Sequence, residues 1–184
     1  MNAYQYIKES IRKGIKEKLV AWRKDKTIVR IDKPTDIGRA RNLGYKDKRG
    51  FVVVRVRVKR GGHKKPRPNK GRRSKRLHTR KNLKMSYKWI AEQRVERKYK
   101  NLTVLNSYLI GKDGQYYFYE VICVDPSRPE IKNDKTTNWV TKGENKKRAL
   151  RGLTSAGKKS RGLRNKNPTN KSRPSVRAGG RKGK

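Results

Sequence analysis

The 184-residue sequence has little cysteine, few acidic residues and no long apolar run. Its single cysteine, Cys123, excludes an intramolecular disulfide and a zinc site built on cysteines, which favours an intracellular protein. No segment approaches the ~20 apolar residues that a membrane-spanning helix needs. The first ten residues, MNAYQYIKES, lack the apolar stretch of a signal peptide. The sequence therefore predicts a protein that is neither secreted nor inserted in a membrane.

Acidic residues are scarce, with 14 Asp+Glu against 55 Lys+Arg, so the net charge is +41 and the pI is about 11.0. Hydrophobic residues make up 31% of the chain, against about 45–50% apolar residues in an ordinary globular domain. Repulsion among so many like charges destabilises a compact state, which excludes a fully self-sufficient globule. The partner that this charge implies is a dense polyanion.

Two segments lack aromatic residues altogether. Residues 55–84 carry 15 Lys+Arg and no acid, and residues 142–184 carry 16 Lys+Arg and one acid. All 14 aromatic residues lie outside these two segments. Such segments bury too little apolar surface to offset the entropy lost on ordering. We expect both to be extended arms that become ordered only against the partner. No repeat of fixed period is visible.

The apolar residues of residues 51–58, FVVVRVRV, predict a strand with two different faces. The four valines at even positions fall on one face, which we expect to pack in the core. Arg55 and Arg57 fall on the other face, and we expect them to point at the partner. Three further runs are rich in β-branched or aromatic residues and predict strands at 27–31, 102–110 and 115–124. The glycine-containing loop at 111–114 is typical of a hairpin.

Two longer helices and one short helix are predicted. An apolar stripe of period four runs through Ala3, Ile7, Ile11, Ile15 and Leu19. A second helix spans about 87–99, and a short one spans 36–43 with Gly44 as its C-cap. The resulting order predicts an α+β fold with a largely antiparallel sheet. We divide the chain into an N-terminal helix (1–24), a globular core (25–58 and 85–141), a basic internal arm (59–84) and a basic C-terminal extension (142–184).

The internal arm leaves the end of a strand with features that suit contact with a phosphate backbone. Gly61 and Gly62 let the backbone approach a phosphate closely. Pro66 and Pro68 stiffen the chain that follows. A nuclear-localisation patch or a solvated charge run is the alternative. Fifteen cations without an anion favour the nucleic-acid interpretation.

The segment 151–163, RGLTSAGKKSRGL, alternates small residues with cations. Such a segment can thread the narrow spaces between phosphates, although a generic flexible basic tail is equally compatible. The segment lacks the spacing of a nucleotide-binding phosphate loop, which argues against that function.

Three other groups invite a chemical interpretation. His63 and His78 could act as the acid and base of an RNA-cleaving enzyme, but no carboxylate near them orients a ring, so contact with RNA is favoured. Glu92 and Glu96 could bind a metal, but cations at helical spacing favour salt bridges. Cys123 lies in an apolar strand, which favours a buried small hydrophobe over a reactive thiol.

The aromatic residues at 116–119 alternate across a strand. A stacking platform for RNA bases is conceivable there. Packing in the core is favoured, because basic residues are not interleaved with these rings. Tyr45 is flanked by cations and is the better candidate for stacking on a base.

Six segments taken together resemble a known family. They are AYQYI at 3–7, ARNLGYKDKRGFV at 40–52, RVKRGG at 57–62, VLNSY at 104–108, EVICVDP at 120–126 and RGLTSAGKKSRGL at 151–163. In this order they are similar to the large-subunit ribosomal protein family fifteen of the archaeal and eukaryotic type, the L15e type. The resemblance covers most of the chain and departs from the family at 24–33, 64–84 and 165–184.

The resemblance implies a small domain of pattern β-(α)-β-α-β-β, with a four-stranded sheet between helices and long arms in large-subunit rRNA. It implies a structural constituent of the large subunit in the cytoplasmic ribosome, without enzymatic activity or a small-molecule substrate. The implied partners are large-subunit rRNA and neighbouring ribosomal proteins. No cofactor is expected, since Mg²⁺ would belong to the rRNA.

With these expectations, the residues predicted to bind RNA are Arg39, Arg41, Tyr45, Lys46, Lys48, Arg55, Arg57, Lys59, Arg60, Gly61, Gly62, His63, Lys64, Lys65, Arg67, Lys70, Arg72, Arg73, Lys75, Arg76, His78, Arg80, Lys81, Lys146, Lys147, Arg148, Arg151, Lys158, Lys159, Arg161, Arg164 and Lys166. Three other functions are the alternatives to this one. They are a chromatin or non-ribosomal RNA-binding module, a nuclease using the two histidines, and binding of the first helix to a membrane surface.

Overall fold

The chain folds around a four-stranded antiparallel sheet with helices on both of its faces. The structure is a computed structural model, and it describes residues 3–61, 63–64, 70–72, 80–81, 83, 85–165 and 173–175. Among these residues the strands are β1 (Ile28–Ile31), β2 (Phe51–Lys59), β3 (His63–Lys64), β4 (Arg80–Lys81), β5 (Thr103–Lys112) and β6 (Tyr116–Val124). The helices are α1 (Ala3–Lys24), α2 (Ile37–Asn42), α3 (Tyr87–Lys98), α4 (Pro129–Lys132) and α5 (Ser155–Ser160), with 3-10 turns at Asn138–Thr141 and Gly143–Asn145.

The main sheet has the order β1-β2-β6-β5, and β3 and β4 form a separate two-stranded pair. Strand β2 pairs antiparallel with β6 along its whole length, from Phe51 opposite Val124 to Lys59 opposite Tyr116. β5 and β6 form the predicted hairpin, and their register shifts twice, once at Leu105. The predicted α+β class and antiparallel sheet are confirmed. Each long strand begins and ends within two residues of its prediction.

The even-numbered valines of β2 form the core that the sequence predicts. Val54, Val56 and Val58 are buried and pack with Ala91 and Val95 of α3. The opposite face of the sheet is buried as well, because α1 and α2 cover it. These helices contribute Ala40, Ile15 and Trp22, which pack with Val53, Tyr108, Phe118 and Ile122 of the strands.

The two shorter predicted helices are fixed by local hydrogen bonds at their ends. The Asp36 carboxylate accepts from the backbone N–H of Arg39 at 2.8 Å at the start of α2. Gly44 follows this helix at φ +96°, a conformation that glycine adopts without strain. The Ser86 hydroxyl accepts from the N–H of Trp89 at the start of α3. Each cap satisfies a backbone donor that the helix leaves without an internal partner.

The first half of the C-terminal extension differs from its prediction. Residues 142–165 fold onto the core instead of extending from it as an arm. Ala149, Thr154, Ala156 and Arg161 are buried, and the indole N–H of Trp89 in α3 donates to the carbonyl of Ala149 at 2.6 Å. The composition of this segment hides its few anchoring residues, because they are scattered among small residues and cations.

No helix among the described residues is long and apolar enough to cross a membrane.

Candidate nucleic-acid interface

Three glutamates turn inward and are buried in the core. Both carboxylate oxygens of Glu92 accept from hydroxyls, one from Ser107 at 2.5 Å and one from Thr154 at 2.6 Å. Glu96 accepts from the backbone N–H of Leu150 at 2.7 Å. Salt bridges to cations at helical spacing were predicted for Glu92 and Glu96. That prediction is wrong, because α3 turns this face toward β5 and the C-terminal segment.

Glu120 of β6 is the third buried glutamate, with no side-chain exposure to solvent. The backbone N–H of Thr35 donates to its oxygens at 3.1 and 3.2 Å, and the Tyr108 hydroxyl also donates to it. Burial raises the pKa of Glu92, of Glu96 and of Glu120 above the ordinary glutamate value. Among the described residues, no group of three His, Cys, Asp or Glu side chains could hold a metal ion.

A fourth carboxylate, that of Asp134, forms salt bridges with two of the predicted RNA-binding lysines. The Lys46 ammonium lies 2.7 Å from Asp134 Oδ2, and the Lys48 ammonium also contacts this oxygen. These hydrogen bonds hold the pKa of Asp134 well below its usual range. The two lysines are partly exposed, so an outward face remains for each of them.

The arginines of β2 contact the C-terminal end of α1, and the prediction that their face is open to the partner is wrong for Arg55. The Arg55 guanidinium lies 2.5 Å from Asp25 and 4.5 Å from the centre of the Trp22 ring. Only 13% of the Arg55 side chain is exposed. Arg57 donates to the carbonyl of Arg23 and lies 4.8 Å from the centre of the Tyr116 ring. Both arginines therefore attach α1 to the sheet.

Tyr45 is another site residue that the structure corrects. It is 8% exposed and packs edge-on against Phe51, with ring centres 5.9 Å apart. A ring so enclosed cannot stack on an RNA base. Core packing was favoured for residues 116–119, and Phe118 and Tyr119 are indeed buried. Burial raises the pKa of Tyr119 to about 12.

Arg148 and Arg161 are also drawn inward. Arg161 is 6% exposed, and its guanidinium donates to the carbonyls of Gly152 and Arg173 at 3.0 Å and to that of Pro174. Arg148 is half-buried and donates to the carbonyl of Val104 at 3.2 Å. The prediction of Arg161 as an RNA contact is therefore corrected to a structural role, because its donors satisfy backbone carbonyls.

The small residues of the segment 151–163 pack closely against one another. A Cβ on Gly157 would lie 2.7 Å from the Cα of Gly152, so the two backbones touch. Gly152 and Gly162 adopt φ of +69° and +78°. The Thr154 hydroxyl accepts from the N–H of Gly157 at 3.2 Å, capping α5. The sequence was equally compatible with a segment that threads between phosphates and with a generic flexible tail, whereas the structure uses these residues in a tight turn of the protein itself.

Most of the remaining predicted residues fall into three groups. Those with exposed side chains are Arg39, Arg41, Lys59, Arg60, Lys70, Arg72, Lys146, Lys147, Arg151, Lys158, Lys159 and Arg164. Backbone positions alone are described for His63, Lys64, Arg80 and Lys81, which form β3 and β4. The predicted residues Gly62, Lys65, Arg67, Arg73, Lys75, Arg76, His78 and Lys166 lie outside the described residues. The proposed pairing of His63 with His78 falls there too.

The exposed cations and the inward carboxylates form one pattern, in which predicted cations lie at the surface and three of the glutamates are buried in the core. A family model described as Ribosomal L15, of the L15e type, matches residues 2–179. The chain belongs to the ribosomal L15e family. Members of this family are structural, non-enzymatic proteins of the large ribosomal subunit and act in translation. The family places this L15e chain in the ribosome, with rRNA and ribosomal proteins as its partners.

In this L15e chain, Cys123 is buried as the sequence predicts. Burial raises the pKa of its thiol, which keeps the sulfur protonated and unreactive. Sequence reasoning missed the buried partners Trp89 and Thr154, which attach the C-terminal segment to the core. The Thr154–Ser155–Ala156 run before two lysines carried a helix-cap signal that could have revealed α5.

Proposed function

We propose that this L15e chain neutralises and cross-links packed rRNA helices during and after assembly of the large subunit. The separation of charge supports the proposal. Three of the few carboxylates are buried in the core, and Asp134 is held by two lysines. Twelve of the predicted cations project from the folded body instead. Few acidic groups therefore weaken the attraction between this surface and phosphate.

The expected mechanism is electrostatic and depends on the shape of the RNA. Each phosphate contact releases condensed counterions, so affinity falls steeply with salt. The major groove of A-form RNA is too deep and narrow for side chains to read, so backbone contacts and shape dominate. We infer that the folded core docks at one rRNA junction and that the basic segments add affinity.

In this proposal Mg²⁺ accompanies the rRNA and the protein holds no metal of its own. If the source is a eukaryote, assembly takes place in the nucleolus.

The test compares two variants with the same change in net charge. Lys158→Gln/Lys159→Gln removes two exposed cations at the end of α5, and Lys16→Gln/Lys18→Gln removes two exposed cations on α1. Binding to purified large-subunit rRNA is measured across a salt series. With ~10 phosphates engaged, the log–log slope is about −7 to −9. The α5 variant should make this slope less steep by about two units. The α1 control should change the slope less.

Equal effects of the two variants would show that net charge alone governs binding, which contradicts an interface at α5. Co-sedimentation with large subunits through high salt separates this function from a chromatin or non-ribosomal RNA-binding module. Release of the full-length chain from the subunits at moderate salt would overturn the proposal.

A further inference from the structure

A cleft of about 490 Å³ opens beside the edge strand of the sheet. Four parts of the chain line it: the turn after α2, the irregular start of β5, the segment 136–139 that follows α4, and the C-terminal segment that folds onto the core. Its volume lies within the range of about 300–1,000 Å³ that small-ligand sites occupy. Because residues 142–165 form one of its walls, the cleft exists only when that segment is folded.

One part of the lining is apolar. Leu43, Leu105, Leu153 and Trp139 all line the cleft. The Arg148 guanidinium lies 4.6 Å from the centre of the Trp139 ring, which holds the indole in place. An apolar wall with a fixed aromatic ring suits a flat, weakly solvated group such as a nucleobase.

Two buried polar atoms of the lining have no hydrogen-bond partner among the described residues. One is the hydroxyl oxygen of Thr137, a residue only 5% exposed, and the other is Nε of Arg148. A buried polar atom without a partner is costly, so each such atom in a native protein calls for an explanation. Both residues line the cleft, and a ligand with donors and acceptors at its edge would satisfy both atoms once their side chains turn toward it.

The charges of the lining are all positive. Lys46, Arg148, Lys158 and Arg164 line the cleft, and no carboxylate does. Lys158 and Arg164 are exposed, whereas Lys46 is held by Asp134. Two exposed cations next to an apolar wall can bind a phosphate while the wall holds the base attached to it.

We propose that this cleft binds one unstacked nucleotide of the rRNA, with its base against the apolar wall and its phosphate at Lys158 and Arg164. The inference rests on the proposed function, since it assumes that the chain is bound to rRNA. Unpaired bases splayed from a helix are the usual targets of sequence-specific RNA recognition. The cleft would thus supply the specificity that the exposed cations lack. A peptide of a neighbouring protein is the competing occupant, and the absence of carboxylates disfavours a basic peptide.

Replacement of the Thr137 hydroxyl separates a binding role from a structural one. Thr137→Val keeps the side-chain shape and the net charge, and it removes a buried hydroxyl without a partner. Stability of the full-length protein should therefore stay the same or increase. Affinity for purified large-subunit rRNA, in the presence of competing polyanion, should fall about three- to tenfold. Thr141→Val is the matched control, because that hydroxyl donates to the carbonyl of Asn138 and does not line the cleft.

Unchanged rRNA affinity in the Thr137→Val variant would overturn the inference, and so would a loss of stability that accounts for the weaker binding. Neither result would contradict the proposed function, because that function is tested by the α5 variant and by co-sedimentation.

Photo-cross-linking identifies the occupant directly. Leu153 is replaced by p-benzoylphenylalanine in the full-length chain, and intact large subunits are isolated and irradiated. The attached RNA position is mapped by reverse transcription. We expect one nucleotide, whose base is unpaired in chemical probing of subunits that lack the protein. Cross-links to a protein, or spread over many nucleotides, would overturn the inference. Failure of the variant and the unmodified chain alike to enter large subunits would instead contradict the proposed function.

Discussion

The hydroxyl of Thr154 donates a hydrogen bond of 2.6 Å to the buried carboxylate of Glu92, 62 residues earlier in the chain. The Ser107 hydroxyl donates to the other oxygen of the same carboxylate. One buried group of α3 thus joins β5 and the C-terminal segment. Since an unpaired carboxylate in the core is costly, these hydroxyls favour a single docked position for residues 142–165.

Removing the Thr154 hydroxyl should destabilise the fold strongly. Thr154→Val removes the cap of α5 and leaves one oxygen of Glu92 without a donor. We expect a loss of about 2–3 kcal/mol in the free energy of unfolding. Urea unfolding of the full-length chain measures it. Thr154→Ser keeps the hydroxyl and is the control, and equal losses in the two variants would show that the hydroxyl is unimportant.

Two glycines within helices should respond to alanine in opposite directions. A Cβ on Gly157 would lie 2.7 Å from the backbone of Gly152, so Gly157→Ala forces the two segments apart. We expect a loss of about 1–3 kcal/mol in the free energy of unfolding. A Cβ on Gly14 in α1 meets nothing within 4 Å, and Gly14→Ala should stabilise by about 0.5–1 kcal/mol. Thermal melts of both variants provide the comparison, and a stabilising Gly157→Ala would refute the close contact.

Replacing Arg161 should affect the stability of the fold, whereas replacing Arg164, three residues later, should affect RNA binding. Arg161→Gln leaves the carbonyls of Gly152, Arg173 and Pro174 short of donors, which should cost about 1–3 kcal/mol of stability. Arg164 is exposed, and Arg164→Gln should change stability by less than about 0.5 kcal/mol.

The same Arg164→Gln variant should make the log–log slope of rRNA affinity against salt concentration less steep by about one unit. Denaturant unfolding and a salt titration, performed on both proteins, give the two measurements. A stable Arg161→Gln protein would show that the buried guanidinium does not hold the turn.

Stability should decrease as the pH rises above the ordinary glutamate pKa of about 4.3. Burial raises the pKa of Glu120 in the folded state, so the folded protein retains this proton at a pH where the unfolded chain has lost it. The stabilising contribution is complete below the unfolded pKa and is lost as the pH rises through the folded one. Glu92 and Glu96 shift in the same direction.

Glu120→Gln should therefore flatten the dependence of the free energy of unfolding on pH above the ordinary glutamate pKa of about 4.3. Glu144→Gln is the control, because Glu144 is exposed. Asp134 shifts the opposite way, so its contribution is lost on acidification below about pH 3.9 and does not affect this window. Parallel profiles for Glu120→Gln and the unmodified chain would contradict the expectation.

Much of the sheet could be predicted because each strand carries its own pattern. The alternation of valine and arginine in β2 marked the core face, and the glycine-containing loop marked the hairpin. The candidate site was harder to predict, because a cation looks the same in sequence whether it binds RNA or a carbonyl. Arg55 and Arg161 turn inward only because Trp22 and the turn at Gly152 lie beside them.

The average composition of residues 142–165 led to the wrong prediction that this segment is an extended arm. Residues 142–165 hold few apolar side chains, yet a few spaced contacts fold them onto α3, among them those of Ala149 and Thr154. The partners of these two residues, Trp89 and Glu92, lie about 60 positions away. Pattern within a short window carries no information about pairs so distant.

The strand order has a consequence for how the chain is made. β2 receives its second partner only when β6 has been synthesised, and Tyr116 lies 57 residues beyond Lys59. If the chain is synthesised at about 5–20 residues per second, one edge of this valine-rich strand stays unpaired for roughly 3–11 s. Such an edge invites association between nascent chains, and charges within it oppose that. Arg55 and Arg57, which finally contact the C-terminal end of α1, thus interrupt the apolar run at the stage when aggregation is the hazard.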